Sequence, residues 1–248
     1  MDEKKILGQF ISDFATILWS STDLRSFSWA PITPENRVFS ERVLVVANMT
    51  VPQNFNVPAD GLDDYCRNRL RELGIVNQTG RCVVMLTSVR QERIRSAEFS
   101  DQKSGLNVLA LCTAGLGNGF VPGDPAPFNE GMGGLSAQSA GTINLMVVIN
   151  RPLTEKSLAE AASVAVMSKT HALVSHGAVN GSGRGPIAGT GTDCIVIVCP
   201  NPTGDNGPKP LKYSGMGTVL GEAVGKTVSQ AVLRAIGTQN GDGIASKN

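Results

Sequence analysis

The stretch SAGTINLMVVINRP, Ser139 to Pro152, decides how the rest of the chain is read. From Ile143 to Ile149 it is apolar at every position but Asn144. A strand half exposed to water alternates apolar and polar residues, so a nearly unbroken apolar run predicts a strand covered on both faces. VVMLTSV at 83–89, NVLALCTA at 107–114 and DCIVIVCP at 193–200 have the same character. RIRSAEF at 93–99 is placed to pair with its neighbours as a hairpin. Shorter strand-like stretches fall at Leu24–Trp29 and, around VLVVAN, at Arg42–Asn48.

Helical spacing marks the remainder. Ile6, Phe10, Phe14, Ile17 and Leu18 predict a helix over residues 3–18. In DGLDDYCRNRLREL, 60–73, a stripe of Leu62, Cys66, Leu70 and Leu73 predicts another, with Asp60 accepting the first amides and Gly74 as the exit. A long helix is expected from Thr154, its cap, to about Val174, and a last one over Thr218–Ile236. NPTGDNGPKP, 201–210, reads as a surface loop. With strands and helices mixed and no repeat or linker, the expected fold is α+β. It is a single domain over residues 1–237, with a mixed, largely antiparallel β core covered by helices, in layers α-β-β-α. Residues 238–248 are expected to form a flexible tail.

Composition narrows the function. The 248 residues are 41% hydrophobic and carry 22 basic and 21 acidic side chains, a net charge of +1. No basic face is implied, so neither nucleic acid nor an anionic membrane is an expected partner. Aromatics are only 5%, too few for a base-stacking platform. The N-terminus MDEKKILGQFISDF has no apolar core, so it does not read as a signal peptide, and no stretch reaches the length of a membrane span. The five cysteines, at 66, 82, 112, 194 and 199, lack paired spacing and are read as reduced, buried thiols of a cytoplasmic protein. The three sequons, at Asn48, Asn77 and Asn180, are then chance matches. His171 and His176 have no partner cysteines at ligand spacing, so neither a metal nor a cofactor is expected. A homo-oligomer is compatible with the sequence.

Four stretches carry polar residues where the surroundings do not require them. In CTAGLGNGFVPGD, 112–124, glycines at 115, 117 and 119 let the backbone turn and present amides to an anion or oxyanion, and Thr113 and Asn118 add side-chain donors. A loop that merely needs glycine to bend is the plainer reading. In AGTINLMVVIN, Thr142 opens a strand, a place where threonine is common in any case. In VAVMSKTHAL, 164–173, Lys169, Thr170 and His171 interrupt an apolar helix. Such a lysine usually reaches solvent, and one turned inward is costly unless it serves a site. In GRGPIAGTGTDCIVIVCP, 183–200, Gly189 and Gly191 alternate with Thr190 and Thr192 ahead of Asp193, which can arrange hydroxyls around a ligand or simply form an Asx turn.

Taken in order, these stretches resemble the adenosylcobinamide amidohydrolase family of corrinoid salvage. The matching elements are Thr113-Ala114-Gly115-Leu116-Gly117-Asn118, Gly141-Thr142-Ile143-Asn144, Ser168-Lys169-Thr170, Gly189-Thr190-Gly191-Thr192-Asp193 and Leu220-Gly221-Glu222, preceded by MLTSV at 85–89. They run from about Leu24 to Ile236. Two departures stand out: Gly217-Thr218 where many members carry His-Thr, and SWAPITPENR, 28–37, where an N-G-G-like turn is usual. The resemblance implies hydrolysis of the amide between a corrin propionate and aminopropanol, giving adenosylcobyric acid. It implies a small-molecule corrinoid as partner, Thr113, Gly115, Asn118, Thr170, Thr190, Thr192 and Glu222 as substrate-binding residues, and Thr142, Asn144, Lys169 and Asp193 as catalytic ones. A non-catalytic corrinoid-binding module, and an acyltransferase or amidase acting on another bulky amide, are the alternatives.

A shorter likeness concerns the opening stretch. TINLMVVINRPLT, 142–154, resembles the segment following the self-cleavage point of ornithine acetyltransferases and β-aminopeptidases. That likeness implies breakage between Gly141 and Thr142. The freed α-amine would act as base and the hydroxyl as nucleophile, with amides near Gly115 and the Asn118 side chain stabilising the oxyanion. If the chain does not break, a water activated by Asp193 or Glu222 is the expected substitute.

Overall fold

The computed structural model describes residues 8–75, 79–125, 141–204 and 207–237. The chain runs through β1 (Gly8–Ile11), β2 (Ala15–Ser28), β3 (Phe39–Thr50), α1 (Gly61–Glu72), β4 (Cys82–Thr87), β5 (Arg95–Asp101), β6 (Leu106–Ala114), β7 (Gly119–Phe120), β8 (Ile143–Ile149), α2 (Glu155–Ser175), β9 (Gly189–Thr190), β10 (Cys194–Pro200) and α3 (Val219–Gly237). Eight strands form one sheet in the order β4-β3-β2-β10-β8-β6-β5, with β1 paired to β2. Pairing is antiparallel except between β3 and β4 and between β8 and β10.

The side chains sort this sheet into two facing halves. From β8, Ile143, Leu145, Val147 and Ile149 pack with α2 and α3, as do Ile195, Ile197 and Cys199 of β10 and Val108, Ala110 and Cys112 of β6. The alternate residues Met146, Val196, Val198 and Leu111 meet Leu18, Leu24, Val43, Val46, Val83 and Met85 from β2, β3 and β4. The far side of those strands, with Ala15, Ile17, Val45, Ala47 and Val84, is closed by Cys66 and Leu70 of α1. This is the expected α+β domain with helices outside, in layers of helix, sheet, sheet and helix. It explains the apolar runs: each inner strand has one face toward a helix and the other toward the opposite half-sheet.

β2 joins the halves. Its N-terminal part pairs with β3, and Leu24–Ser28 also pair with β10, with register breaks between Trp19 and Leu24 and between Leu24 and Ser26. Bulges of this kind bend a strand and increase its twist, letting one strand serve both layers.

Two local expectations are corrected. The helix expected over residues 3–18 is absent over its described part, which forms β1 and most of the first half of β2. With both faces of β2 covered, Ile17 and Leu18 are both buried although they point to opposite faces. Adjacent buried residues imitate a helical stripe. Asp60 precedes α1 but its side chain caps no amide. By contrast Thr154 caps α2, accepting from Ser157 N at 3.2 Å, and Gly74 leaves α1 with φ +79°. The tail at 238–248 and the sequon at Asn77 lie outside the described residues.

All five cysteines are unbridged and buried. Burial pushes the Cys199 thiol up to about 11 and those of Cys66, Cys82 and Cys194 to about 12, from an ordinary 9.0, and Cys112 shifts the same way. The folded chain therefore keeps these protons at pH values where the unfolded chain releases them. Their contribution to stability is complete below about pH 9 and falls as pH rises toward 11–12. Negligible labelling of the native protein by a disulfide reagent at pH 8 is expected, against five equivalents after urea unfolding. One fast native equivalent would reopen a role for a thiol nucleophile.

Candidate active site

The site forms where β8 and β10 begin. These strands are parallel, so the residues preceding each, Thr142 and Thr190–Asp193, arrive side by side. The Thr142 Oγ1 lies 2.6 Å from Thr192 Oγ1, and Thr192 Oγ1 donates to the Gly141 carbonyl at 3.1 Å. Thr142 is half-buried and Thr192 exposed.

Behind this pair sits the Asp193 carboxylate. Its Oδ1 accepts from Ile143 N at 3.0 Å and from Thr190 Oγ1, while Oδ2 accepts from Thr190 N at 3.0 Å and from Lys169 Nζ. Lys169 thus turns inward from α2 and is buried, the uncommon alternative for such a lysine, and the ion pair with Asp193 accounts for it. Two acceptor bonds on each oxygen use the carboxylate's full capacity. Asp193 is built to hold the backbone at Thr142 in place. It is poorly suited to take a proton from water, the substitute role considered from the sequence. The alternating glycines have a steric reason. A Cβ on Gly189 would lie 2.7 Å from Asp193 Oδ2 and 2.9 Å from Lys169 Nζ, and one on Gly191 2.9 Å from Asn118 Nδ2.

The turn after β6 forms the opposite wall. Gly141 is pressed onto it, so that a Cβ there would lie 2.5 Å from Asn118 N and 2.8 Å from Gly117 N. Asn118 O accepts from Gly191 N at 3.1 Å, tying this wall to the Thr192 turn. The Gly115 amide donates to Thr142 O at 2.9 Å. It extends the β6–β8 ladder and is not offered to an oxyanion. An open cleft of about 500 Å³, lined by Gln53, Val89, Arg90, Arg93 and Gly115, adjoins the same turn.

Beneath Thr142, between the half-sheets, Thr113 and Asn144 are fully buried. Asn144 Nδ2 donates to Asn48 Oδ1 at 2.8 Å and to Leu86 O at 2.9 Å, and Asn48 Nδ2 donates to Thr113 Oγ1 at 2.9 Å. These residues stitch β3, β4, β6 and β8 together across the inner layer, while the buried Asn144 Oδ1 has no hydrogen-bond partner. Thr170 donates to Ala188 O at 3.1 Å and holds the strand leading into Thr190. Glu222 lies on the exposed first turn of α3, paired with Lys226 at 2.5 Å, and is not brought to Thr142. His171 and His176 line a separate cleft between α2 and α3. Among the described residues no cluster of three or more His, Cys, Asp or Glu could hold a metal, and no helix is long and apolar enough to cross a membrane.

Two contributors escaped the sequence reading. Asn48 is the hub of the buried network, and the Trp29 indole donates to Asp193 O at 2.9 Å from the end of β2. A lone asparagine closing the apolar run VLVVAN was the available signal for the first. The second depends on β2 reaching β10, which no local pattern announces.

The chain is similar to several known proteins. The family model described as adenosylcobinamide amidohydrolase matches residues 12–244. A protein named adenosylcobinamide amidohydrolase from Methanosarcina mazei is 28% identical over 200 residues, covering 79% of this chain and 82% of that one. Two solved structures are similar at low identity. The PH0078 protein of Pyrococcus horikoshii OT3 has a TM-score of 0.48 and 13% identity, over 92% of this chain and 78% of that one. The L-aminopeptidase D-Ala-esterase/amidase of Ochrobactrum anthropi has a TM-score of 0.40 and 10% identity, over 93% and 82%.

Proposed function

The chain belongs to the adenosylcobinamide amidohydrolase family and is an amidohydrolase, and from that premise we propose that it cleaves the amide joining a corrin propionate to aminopropanol, releasing adenosylcobyric acid, with Thr142 as nucleophile. The observation that carries the assignment of Thr142 is its hydroxyl, 2.6 Å from Thr192 at the mouth of β8, beside a cleft and ahead of a fully engaged carboxylate. The five buried thiols, all raised in pKa, make poor competitors for that role.

In this reading the chain first breaks between Gly141 and Thr142. The new α-amine, with a reference pKa of about 8, is a base matched to neutral pH. It takes the Thr142 proton as the oxygen attacks the substrate carbonyl. The tetrahedral oxyanion draws on the Asn118 side chain. The C–N bond then breaks, aminopropanol leaves with the proton, and water hydrolyses the ester on Thr142 to a carboxylate. Lys169 and Asp193 act by fixing the start of β8, and Asn144 by fixing the layer beneath it. The five unbridged cysteines support a cytoplasmic location for the reaction.

Incubation with adenosylcobinamide, followed by mass analysis of both halves, tests the reading. Equal amounts of adenosylcobyric acid and free aminopropanol are expected, unchanged in partition by an added amine. Corrinoid retained without turnover would replace the enzyme with a binding module, and a new amide formed from the added amine would make it an acyltransferase.

A further inference from the structure

We propose that Thr192 is a catalytic residue of the chain's own cleavage, passing the Thr142 proton toward the Gly141 carbonyl. The inference rests on the reading of Thr142 as a nucleophile released by self-cleavage. Thr192 touches both reacting groups: its Oγ1 is 2.6 Å from Thr142 Oγ1 and 3.1 Å from Gly141 O. A threonine hydroxyl carries one hydrogen. Thr192 uses it toward Gly141 O, so the short contact must take its hydrogen from Thr142. The two bonds therefore run in one direction, from nucleophile to relay to the carbonyl under attack.

The step balances without any added reactant. Thr142 Oγ1 bonds to the Gly141 carbonyl carbon while its proton moves to Thr192 Oγ1, and the Thr192 proton moves to Gly141 O. The product is a neutral tetrahedral adduct with a hydroxyl on the former carbonyl carbon. Its collapse re-forms the carbonyl, breaks the bond to the Thr142 nitrogen and transfers the hydroxyl proton to that nitrogen. The ester left between Gly141 and the Thr142 oxygen is then hydrolysed by water, giving a Gly141 carboxylate and a free N-terminal threonine.

The turn bearing Thr192 is held from several directions. Gly191 N donates to Asn118 O, Trp29 Nε1 donates to Asp193 O, and the Asp193 carboxylate ties Thr190 to Ile143. This matters because a relay fixed in position adds no reorganisation cost at the moment of reaction. Thr192 is also exposed, so packing in the core gives no reason for a threonine at this position.

The test follows the full chain over time after cell-free synthesis, reading cleavage by intact mass. Wild-type protein is expected to break between Gly141 and Thr142. Thr192→Val should slow this by about 10²- to 10³-fold, the usual cost of one such donor, and Thr192→Ser should restore it. Hydroxylamine, which cuts esters, should not rescue Thr192→Val, because the blocked step precedes the ester. An uncleaved wild type would overturn both the nucleophile reading and this one. A cleaved wild type with Thr192→Val breaking at the same rate, or restored by hydroxylamine, would overturn the relay alone. A second measurement is independent of folding of the variant: the cleavage rate of wild type in mixed light and heavy water. Two protons in motion give a curved dependence on deuterium fraction, and a strictly linear one would overturn the relay.

Discussion

Thr142→Ala is expected to lose turnover by on the order of 10³- to 10⁶-fold, the range seen when a hydroxyl nucleophile is removed from a working catalytic unit. The same protein should remain a single chain of 26.0 kDa, because the substitution removes the atom that would attack Gly141. Corrinoid binding should persist, since the cleft beside Gly115 is untouched. Thr142→Ser keeps the oxygen and should keep both cleavage and turnover at reduced rates. Steady-state turnover, intact mass and a corrinoid absorbance titration read the three quantities separately. Turnover by Thr142→Ala close to wild type would eliminate Thr142 as nucleophile. An activated water would then need a base other than Asp193, whose four acceptor positions are all in use.

The second large effect concerns stability. Asp193→Ala leaves a buried lysine, two backbone amides and the Thr190 hydroxyl without their acceptor. Breaking a buried pair by removing one partner costs about 3–5 kcal/mol. With a urea dependence of roughly 2–3 kcal/mol per molar, the unfolding midpoint should fall by about 1–2.5 M. Lys169→Met should cost less, because the carboxylate it exposes still accepts three hydrogen bonds, from Ile143, Thr190 N and Thr190 Oγ1. Urea titrations of the two variants decide the order. A Lys169→Met protein less stable than Asp193→Ala would mean that the ammonium, not the carboxylate, organises this corner.

The inner strands were legible because they are covered twice. A strand buried on both faces writes a nearly continuous apolar run, and β4, β6, β8 and β10 all carry one. That same double burial hid the first half of β2, whose second half the strand expected at Leu24–Trp29 covers. Its early residues are apolar at successive positions, and Phe10, Phe14, Ile17 and Leu18 happen to fall near a helical period. Thr142, Lys169, Thr192 and Asp193 drew notice because polar groups interrupt apolar or glycine-rich surroundings. Their mutual contacts were not legible, since the parallel pairing of β8 with β10 brings together residues 50 apart, as in Thr142 and Thr192. Glu222 illustrates the reverse case: a motif drew attention to it, and its exposed ion pair on α3 leaves it away from Thr142. Asn48 stayed hidden because a single polar residue ending a strand says nothing about a partner across the interior.

The bent strand β2 also sets an order of events during synthesis. Its Leu24–Ser28 edge pairs with Val196–Pro200, so the N-terminal half-sheet waits for some 170 further residues before that edge is covered. Long-range closure of this kind makes folding slow and leaves an adhesive edge on the nascent chain. The delay is useful if Thr142 cuts its own backbone. Thr192 and Asp193 emerge from the ribosome immediately ahead of β10, so the residues that orient Thr142 arrive together with the strand that closes the fold. On the proposed reading, an unfinished chain would lack the means to cut itself, and completed folding would become the trigger for maturation.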